Sequence, residues 1–462
     1  MIDAIGELLA LALFVGICVA LLLGFPVAFT LAGLSLLVAG LGHLLGHFDF
    51  VFFLSLAPRY FGVMLNETLV AVPLFIFMGF VLERSRIAED LLRTLGVLFG
   101  GLPGGLGYAV VIVGAILAAS TGVVGAVVIT MSLISLPTML RAGYDPRLAT
   151  GVIGASATLA QIIPPSTVLI FVADMLQGVN QTAQLRLGNM APTPVSVGDL
   201  FAGAFLPGLV LVALYLLWIA VRAWRDPSSC PPLVLPEAER TALRRSILVS
   251  LLVPALLIVS VLGSILAGLA TATESASLGA VGAILCTALR GRLSFALVRE
   301  ACLRTALTSS MIFTILLGAS LFSLVFRGLG GEALVEEALR AMPGGATGAM
   351  AVFMAVMFVL GFFLDTFEII FIMVPVFGPP LILLGYDPLW LGVMIGLNLQ
   401  TSFLTPPFGA TLFYLRSATP ASITTADIWW GSVTPTWLQL AGLLLVWWWP
   451  ALATWLPRQV FG

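Results

Sequence analysis

The sequence has no lysine: all 20 of its basic residues are arginines, set against 22 carboxylates. Charge is scarce altogether, at 9% of 462 residues, while 60% are hydrophobic. A chain this poor in charge cannot hide its apolar surface in water, which excludes a soluble enzyme and leaves no basic patch for a nucleic-acid partner. Histidine is nearly absent: His43 and His47 stand four apart with no third ligand near in sequence, so both read as loop residues. Cys18, Cys230, Cys286 and Cys302 lack paired spacing and read as small apolar fillers, not as disulfides or metal ligands. The first apolar stretch lacks a basic start and an Ala-x-Ala end, and Asp3 and Glu7 precede or enter it. It is expected to be a retained helix and not a signal peptide.

What fills the chain is apolar stretches, almost back to back from Leu8 to Trp455. They number roughly a dozen or more at the length of about 20 residues that a membrane span needs. They are too long for the alternating ten-residue pattern of a membrane β-barrel. Helices are the other way to satisfy a backbone in lipid. The expected class is an all-α integral membrane protein.

Two motifs recur at one offset. Gly143-Tyr144-Asp145-Pro146 returns as Gly385-Tyr386-Asp387-Pro388, and Pro164-Pro165 as Pro406-Pro407. The chain therefore reads as two copies of one design, residues 1–226 and 240–462, joined by a linker at 227–239. Arg222, Arg225, Arg240, Arg244 and Arg245 flank that linker, which places it in the cytoplasm. Arg141 and Arg147 flank the first Gly-Tyr-Asp-Pro turn, but Leu384 and Leu389 flank the second. Equivalent loops on opposite sides mean inverted topology. Asp199 to Gly203 resembles Asp427 to Gly431 at a shorter offset, which predicts an extra external loop over Gln177 to Val197. The turns themselves read as structural, because Asp before Pro favours an extended or turn backbone.

The segment from Arg93 to Arg141 starts and ends on one side yet is mostly apolar, so it must enter the membrane and return. Ser120, Thr121 and Gly122 lie at its middle, suited to a hairpin tip with free carbonyls. The equivalent place in the second copy holds Leu364, Asp365, Thr366 and Glu368. An Asp there is costly, about 2.5 to 3.5 kcal/mol on insertion scales, and needs a cation, a proton or a polar cavity. Each Pro-Pro pair removes amide donors, so Gln161 to Thr167 and Thr401 to Pro407 should be unwound at depth. Non-helical backbone is tolerated there only if buried in protein or lining a cavity. Carbonyls and hydroxyls at close range suit a dehydrated Na⁺, with a substrate between the two sites.

From Gly24-Phe25-Pro26-Val27-Ala28 through Val72-Pro73-Leu74-Phe75 to Leu404-Thr405-Pro406-Pro407-Phe408-Gly409, the chain resembles the large membrane (permease) subunit of tripartite ATP-independent periplasmic (TRAP) transporters. The resemblance implies an elevator-type secondary transporter, in which a transport domain with two re-entrant hairpins slides against a scaffold in the bacterial inner membrane. It implies a Na⁺ gradient as driver, no other cofactor, and a small organic acid as cargo. It also implies two partner chains: a small four-helix membrane subunit and a periplasmic substrate-binding protein. Carried onto this sequence, one ion site falls on Ser120, Thr121 and Gly122 with Gln161, Pro164, Pro165 and Ser166. The other falls on Asp365 and Thr366 facing Thr401, Ser402, Thr405 and Pro406. Ser120, Ser166, Thr167, Thr366 and Thr405 are the implied substrate contacts. The family's Thr-x-Thr-Glu segment looks like Thr271-Ala272-Thr273-Glu274, with a structural or domain-coupling role for Glu274. The first tip carries fewer serines than is common in the family, so carbonyls would supply more of that site.

Two rivals share the hairpin logic: a Na⁺/carboxylate symporter that needs no binding protein, and a proton-coupled form with Asp365 or Glu368 as carrier. An intramembrane aspartyl protease would want Gly-x-Gly-Asp, which is missing.

Overall fold

The computed structural model describes residues 4–121, 124–233 and 237–461, with the backbone alone at Ala88, Ser120, Thr121 and 237–251. All regular structure among the described residues is helical. The first half holds α1 (Ala4–Leu22), α2 (Val27–Leu44), α3 (Leu56–Met64), α4 (Ala71–Arg84), α5 (Ile87–Phe99), α6 (Gly105–Thr121), α7 (Val124–Arg141), α8 (Pro146–Thr158), α9 (Thr167–Arg186) and α10 (Val197–Arg225). The second holds α11 (Glu237–Leu266), α12 (Ala272–Leu289), α13 (Phe295–Gly328), α14 (Gly331–Arg340), α15 (Gly345–Leu360), α16 (Thr366–Leu383), α17 (Pro388–Leu404), α18 (Ala410–Ala418), α19 (Thr425–Trp448) and α20 (Ala451–Val460).

By length and composition, 7 described helices could cross a membrane, or 9 if each bent pair is one span. Three further apolar helices are shorter, α6, α15 and α17, while α11 runs 30 residues with an apolar last part from Leu252 to Leu266. The expected dozen or so spans include α6, α15 and α17, which at 16 or 17 residues are short of the about 20 that a full crossing needs.

The recurring motifs start helices. Asp145 caps α8 by accepting the Arg147 N–H at 2.9 Å, and Asp387 caps α17 by accepting those of Leu389 and Trp390 at 2.8 and 3.1 Å. Each Pro follows at the first helical position, where its missing donor costs nothing. Gly143 and Gly385 supply the positive φ, 87° and 95°, that ends the helix before. Ser196 with Asp199 and Thr424 with Asp427 form the same capping box at the starts of α10 and α19. Thr271 and Glu274 form another at α12, so Glu274 is tied to its own helix start.

Two local expectations need correction. Gln177 to Val197 is not one long loop: α9 continues to Arg186 and α10 begins at Val197. Polar residues there keep the helix because Arg186 reaches Glu332 at 2.9 Å and Glu336 at 3.4 Å on α14. His43 sits in the last turn of α2, not in a loop, with its Nδ1 3.0 Å from the Phe48 carbonyl oxygen.

Close helix crossings hold the interior. Gly151 on α8 and Gly431 on α19 face each other, and a Cβ on either would strike the opposing backbone, Gly431 O or Arg147 O. Gly318 on α13 meets the Ala28 carbonyl of α2 in the same way. Small residues here replace the hydrophobic drive that lipid does not supply between helices.

Candidate functional site

Both Pro-Pro segments break their helices. After α8 a 3₁₀ turn covers Leu159–Gln161, and residues 162–166 are irregular before α9. After α17, residues 405–409 are irregular before α18. The Pro164-Pro165 and Pro406-Pro407 bonds are both cis.

Each break has a helical hairpin on either side, and the arrangement crosses between the halves. The first hairpin, α6 and α7, packs on α8, the arm before the first break. The arm after that break, α9, packs instead on α16 of the second hairpin. Phe171 meets Phe367 and Phe371 edge-on there, with ring centroids 5.4 and 5.2 Å away. In the same way α15 packs on α17, while α18 crosses to α7. Gly125 on α7 leaves room for the Tyr414 ring, whose nearest carbon would lie 3.1 Å from a Cβ at that position.

The described site residues gather around these crossings. Gln161 Nε2 donates to Thr366 Oγ1 at 3.0 Å, joining the first break to the second tip. Ser166 Oγ donates to the Gln161 carbonyl at 3.1 Å. Asp365 is the N-cap of α16, and its backbone N–H donates to Glu368 Oε2 at 3.0 Å. At the second break, Thr401 Oγ1 donates to the Leu397 carbonyl at 2.7 Å and Ser402 Oγ to the Leu399 carbonyl at 2.9 Å. Thr405 Oγ1 donates to the Thr401 carbonyl at 2.7 Å. These hydroxyls spend their protons on their own helix and keep lone pairs free. Ser402 also fills the space a Cβ on Gly361 would need, which fixes the end of α15 against the second break.

The two breaks differ in access. Gln161, Pro164, Pro165, Ser166 and Thr167 are all buried, whereas Thr405 and Pro406 are half-buried and Phe408 is 46% exposed. Gly122 lies outside the described residues, and Ser120 and Thr121 are described only as the end of α6.

Gln161 Oε1 is buried without a hydrogen-bond partner among the described atoms. A buried acceptor left unpaired costs about 1 to 3 kcal/mol. With backbone carbonyls, hydroxyl lone pairs and the Asp365 carboxylate nearby in the fold, the donor set is all oxygen. That chemistry fits a hard cation such as Na⁺ and does not fit a thiophilic metal.

One group escaped the sequence reading. Gln439 Nε2 donates to Tyr215 Oη at 2.8 Å and lies 2.9 Å from Thr158 Oγ1, and Gln400 Nε2 donates to Tyr215 Oη at 3.3 Å. All four side chains are buried, between α8, α10, α17 and α19. Thr158 and Gln400 stand at the offset of the two repeated motifs, which was the available signal.

Comparison with known proteins decides the family. The profile described as "Tripartite ATP-independent periplasmic transporter, DctM component" matches residues 14–452. The chain belongs to this family. As a large TRAP permease it is a transporter subunit and not an enzyme, a multi-pass protein of the bacterial inner membrane. It is 30% identical over 399 residues to the C4-dicarboxylate TRAP transporter large permease protein DctM of Rhodobacter capsulatus, covering 84% of this chain and 87% of that one. It is 26% identical over 408 residues to the ectoine/5-hydroxyectoine TRAP transporter large permease protein UehC of Ruegeria pomeroyi, covering 88% and 89%. The fold resembles the crystal structure of the Alcanivorax borkumensis YdaH transporter, with a TM-score of 0.63 at 15% identity, over 97% of this chain and 98% of that one. Such permeases carry out secondary transport of organic acids.

Proposed function

We propose that this TRAP permease imports a small organic acid into the cell on a Na⁺ gradient. It would work with a small four-helix membrane subunit and a periplasmic substrate-binding protein. Its two halves, 1–226 and 240–462 about the linker at 227–239, act as inverted repeats. In the proposed cycle Na⁺ orders the tip and break at each site, the cargo seats between them, and the hairpin domain slides against the scaffold. Ser120, Ser166, Thr167, Thr366 and Thr405 are the proposed cargo contacts.

One observation carries the reading: the Gln161–Thr366 hydrogen bond, with α9 crossed onto α16. An ion bound at the first break pulls on Gln161, and Gln161 holds the tip of the other hairpin. Occupancy of one site therefore bears on the geometry of the second, which is what an ion-coupled cargo site needs. The buried unpaired Gln161 Oε1 supports a cation at that place.

A second reading has its own support. Asp365 and Glu368 share one capping box at the second tip, so a proton could bridge two carboxylates that would otherwise repel. Uptake into proteoliposomes separates the two. A gradient of NaCl against KCl at fixed pH drives the first mechanism, and a pH gradient in KCl drives the second.

A further inference from the structure

No arginine lies in the hairpin tips or the breaks, so the proposed cargo site offers an anion no guanidinium. Two arginines do share a cavity elsewhere in the fold. Arg59 on α3 and Arg327 on α13 line one cavity of about 260 Å³, closed on its other side by α9 and α16. The cavity is just under the roughly 300 to 1,000 Å³ of sites for drug-sized ligands, so it suits a molecule of a few carbons. Thr182, Ser320 and Ser323 add hydroxyls to its wall, and Asp174 adds a carboxylate.

Four arginines, Arg59, Arg186, Arg327 and Arg340, share three carboxylates around it, Asp174, Glu332 and Glu336. Asp174 accepts from Asn66 Nδ2 at 2.5 Å, a neutral partner that leaves its charge in the cavity wall. Arg327 donates its Nε to Glu332 at 2.6 Å, but Glu332 also serves Arg186 at 2.9 Å. Glu336 then takes both Arg186 and Arg340, at 3.4 and 2.7 Å. Arg59 is half-buried and has no carboxylate within ion-pair distance among the described residues, though Glu332 attracts it from further off. A half-buried guanidinium whose nearby carboxylates are shared with other arginines is costly unless a further anion joins it. Phe371, Pro375 and Pro379 bring α16 into the wall, the helix that begins at the second tip.

We infer that this cavity is a second binding site of the permease, for a small carboxylate held by Arg59 and Arg327 before it reaches the hairpin tips. The inference rests on the proposed organic-acid transport, since it supplies that cargo with the guanidinium pair the tips lack. Binding here needs no Na⁺, because the arginines are in place without it.

The test is equilibrium dialysis of radiolabelled succinate against the purified chain, in KCl and in NaCl at equal ionic strength. In KCl the wild type should bind succinate. Arg59→Gln should weaken that binding about tenfold or more, equal to about 1.4 kcal/mol. Arg59→Lys should retain part of it. Ser323→Leu, which fills the cavity and leaves both arginines, should weaken it as Arg59→Gln does. Thr366→Val should leave the KCl binding unchanged while removing the further binding that appears in NaCl. Absence of succinate binding in KCl, or wild-type binding by a folded Arg59→Gln or Ser323→Leu protein, overturns the second site. Loss of the NaCl component alone counts against the hairpin site and leaves this one standing.

Discussion

Gln161 and Thr366 are 205 residues apart in sequence and 3.0 Å apart in space, Nε2 to Oγ1, with both side chains buried. That contact ties the break of one half to the hairpin tip of the other, and it sets the first prediction. Thr366→Val removes the acceptor and leaves the Gln161 amide wholly unpaired, which should cost about 1 to 3 kcal/mol of stability. The double variant with Gln161→Leu should recover part of that loss. A coupling energy of about 0.5 kcal/mol or more in the thermal melts of this cycle marks the contact as real. Simple additivity removes it from the account.

Tyr215 is fully buried and accepts from both Gln400 and Gln439. Tyr215→Phe should therefore destabilise by about 1 to 3 kcal/mol, although it removes one oxygen and little volume. A melt unchanged from the wild type would show that the two amides pair elsewhere.

Gly151 and Gly431 let α8 and α19 approach until backbone faces backbone. Gly431→Ala should push the helices apart at a cost of about 1 to 3 kcal/mol. Gly178→Ala, where nothing lies within 4 Å, is the control and should leave the melt unchanged or slightly raised. Equal melts for the two variants would contradict the close crossing.

Arg186 bridges α9 to α14 through Glu332 and Glu336, with its side chain 42% exposed. Exposed pairs are worth about 0 to 1 kcal/mol, so Arg186→Gln should change stability by no more than about that amount, and less in high salt. A larger, salt-resistant loss would mean the network is buried by a partner in the assembly.

Much of this architecture was legible because its punctuation is local. The Gly-Tyr-Asp-Pro turn caps a helix in both copies, and the Pro164-Pro165 and Pro406-Pro407 pairs both break theirs, although α16 runs through Pro379-Pro380 unbroken. The segment from Gln177 is polar yet helical, since polarity alone does not separate a loop from a helix whose Arg186 finds carboxylates on another helix. The crossing of α9 onto α16 left no sequence signal, since Phe171 and Phe367 look like any other apolar residues in their helices. Gln439 is a single polar residue in an apolar run and Gln400 stands among Asn398, Thr401 and Ser402, and only the packing joins the two glutamines to Tyr215.

Na⁺ binding is the centre of the account, and one comparison tests it most directly: the thermal stability of the purified permease in NaCl against KCl at equal ionic strength, for wild type and Asp365→Asn. A bound ion stabilises the folded chain by RT ln(1 + [Na⁺]/Kd), about 2.7 kcal/mol at a hundredfold excess over Kd. The wild type should melt at a higher temperature in NaCl and Asp365→Asn should show a smaller rise, with the variant folded in both salts. Equal melting in the two salts would contradict Na⁺ coupling, and an undiminished rise in the variant would take Asp365 out of the site.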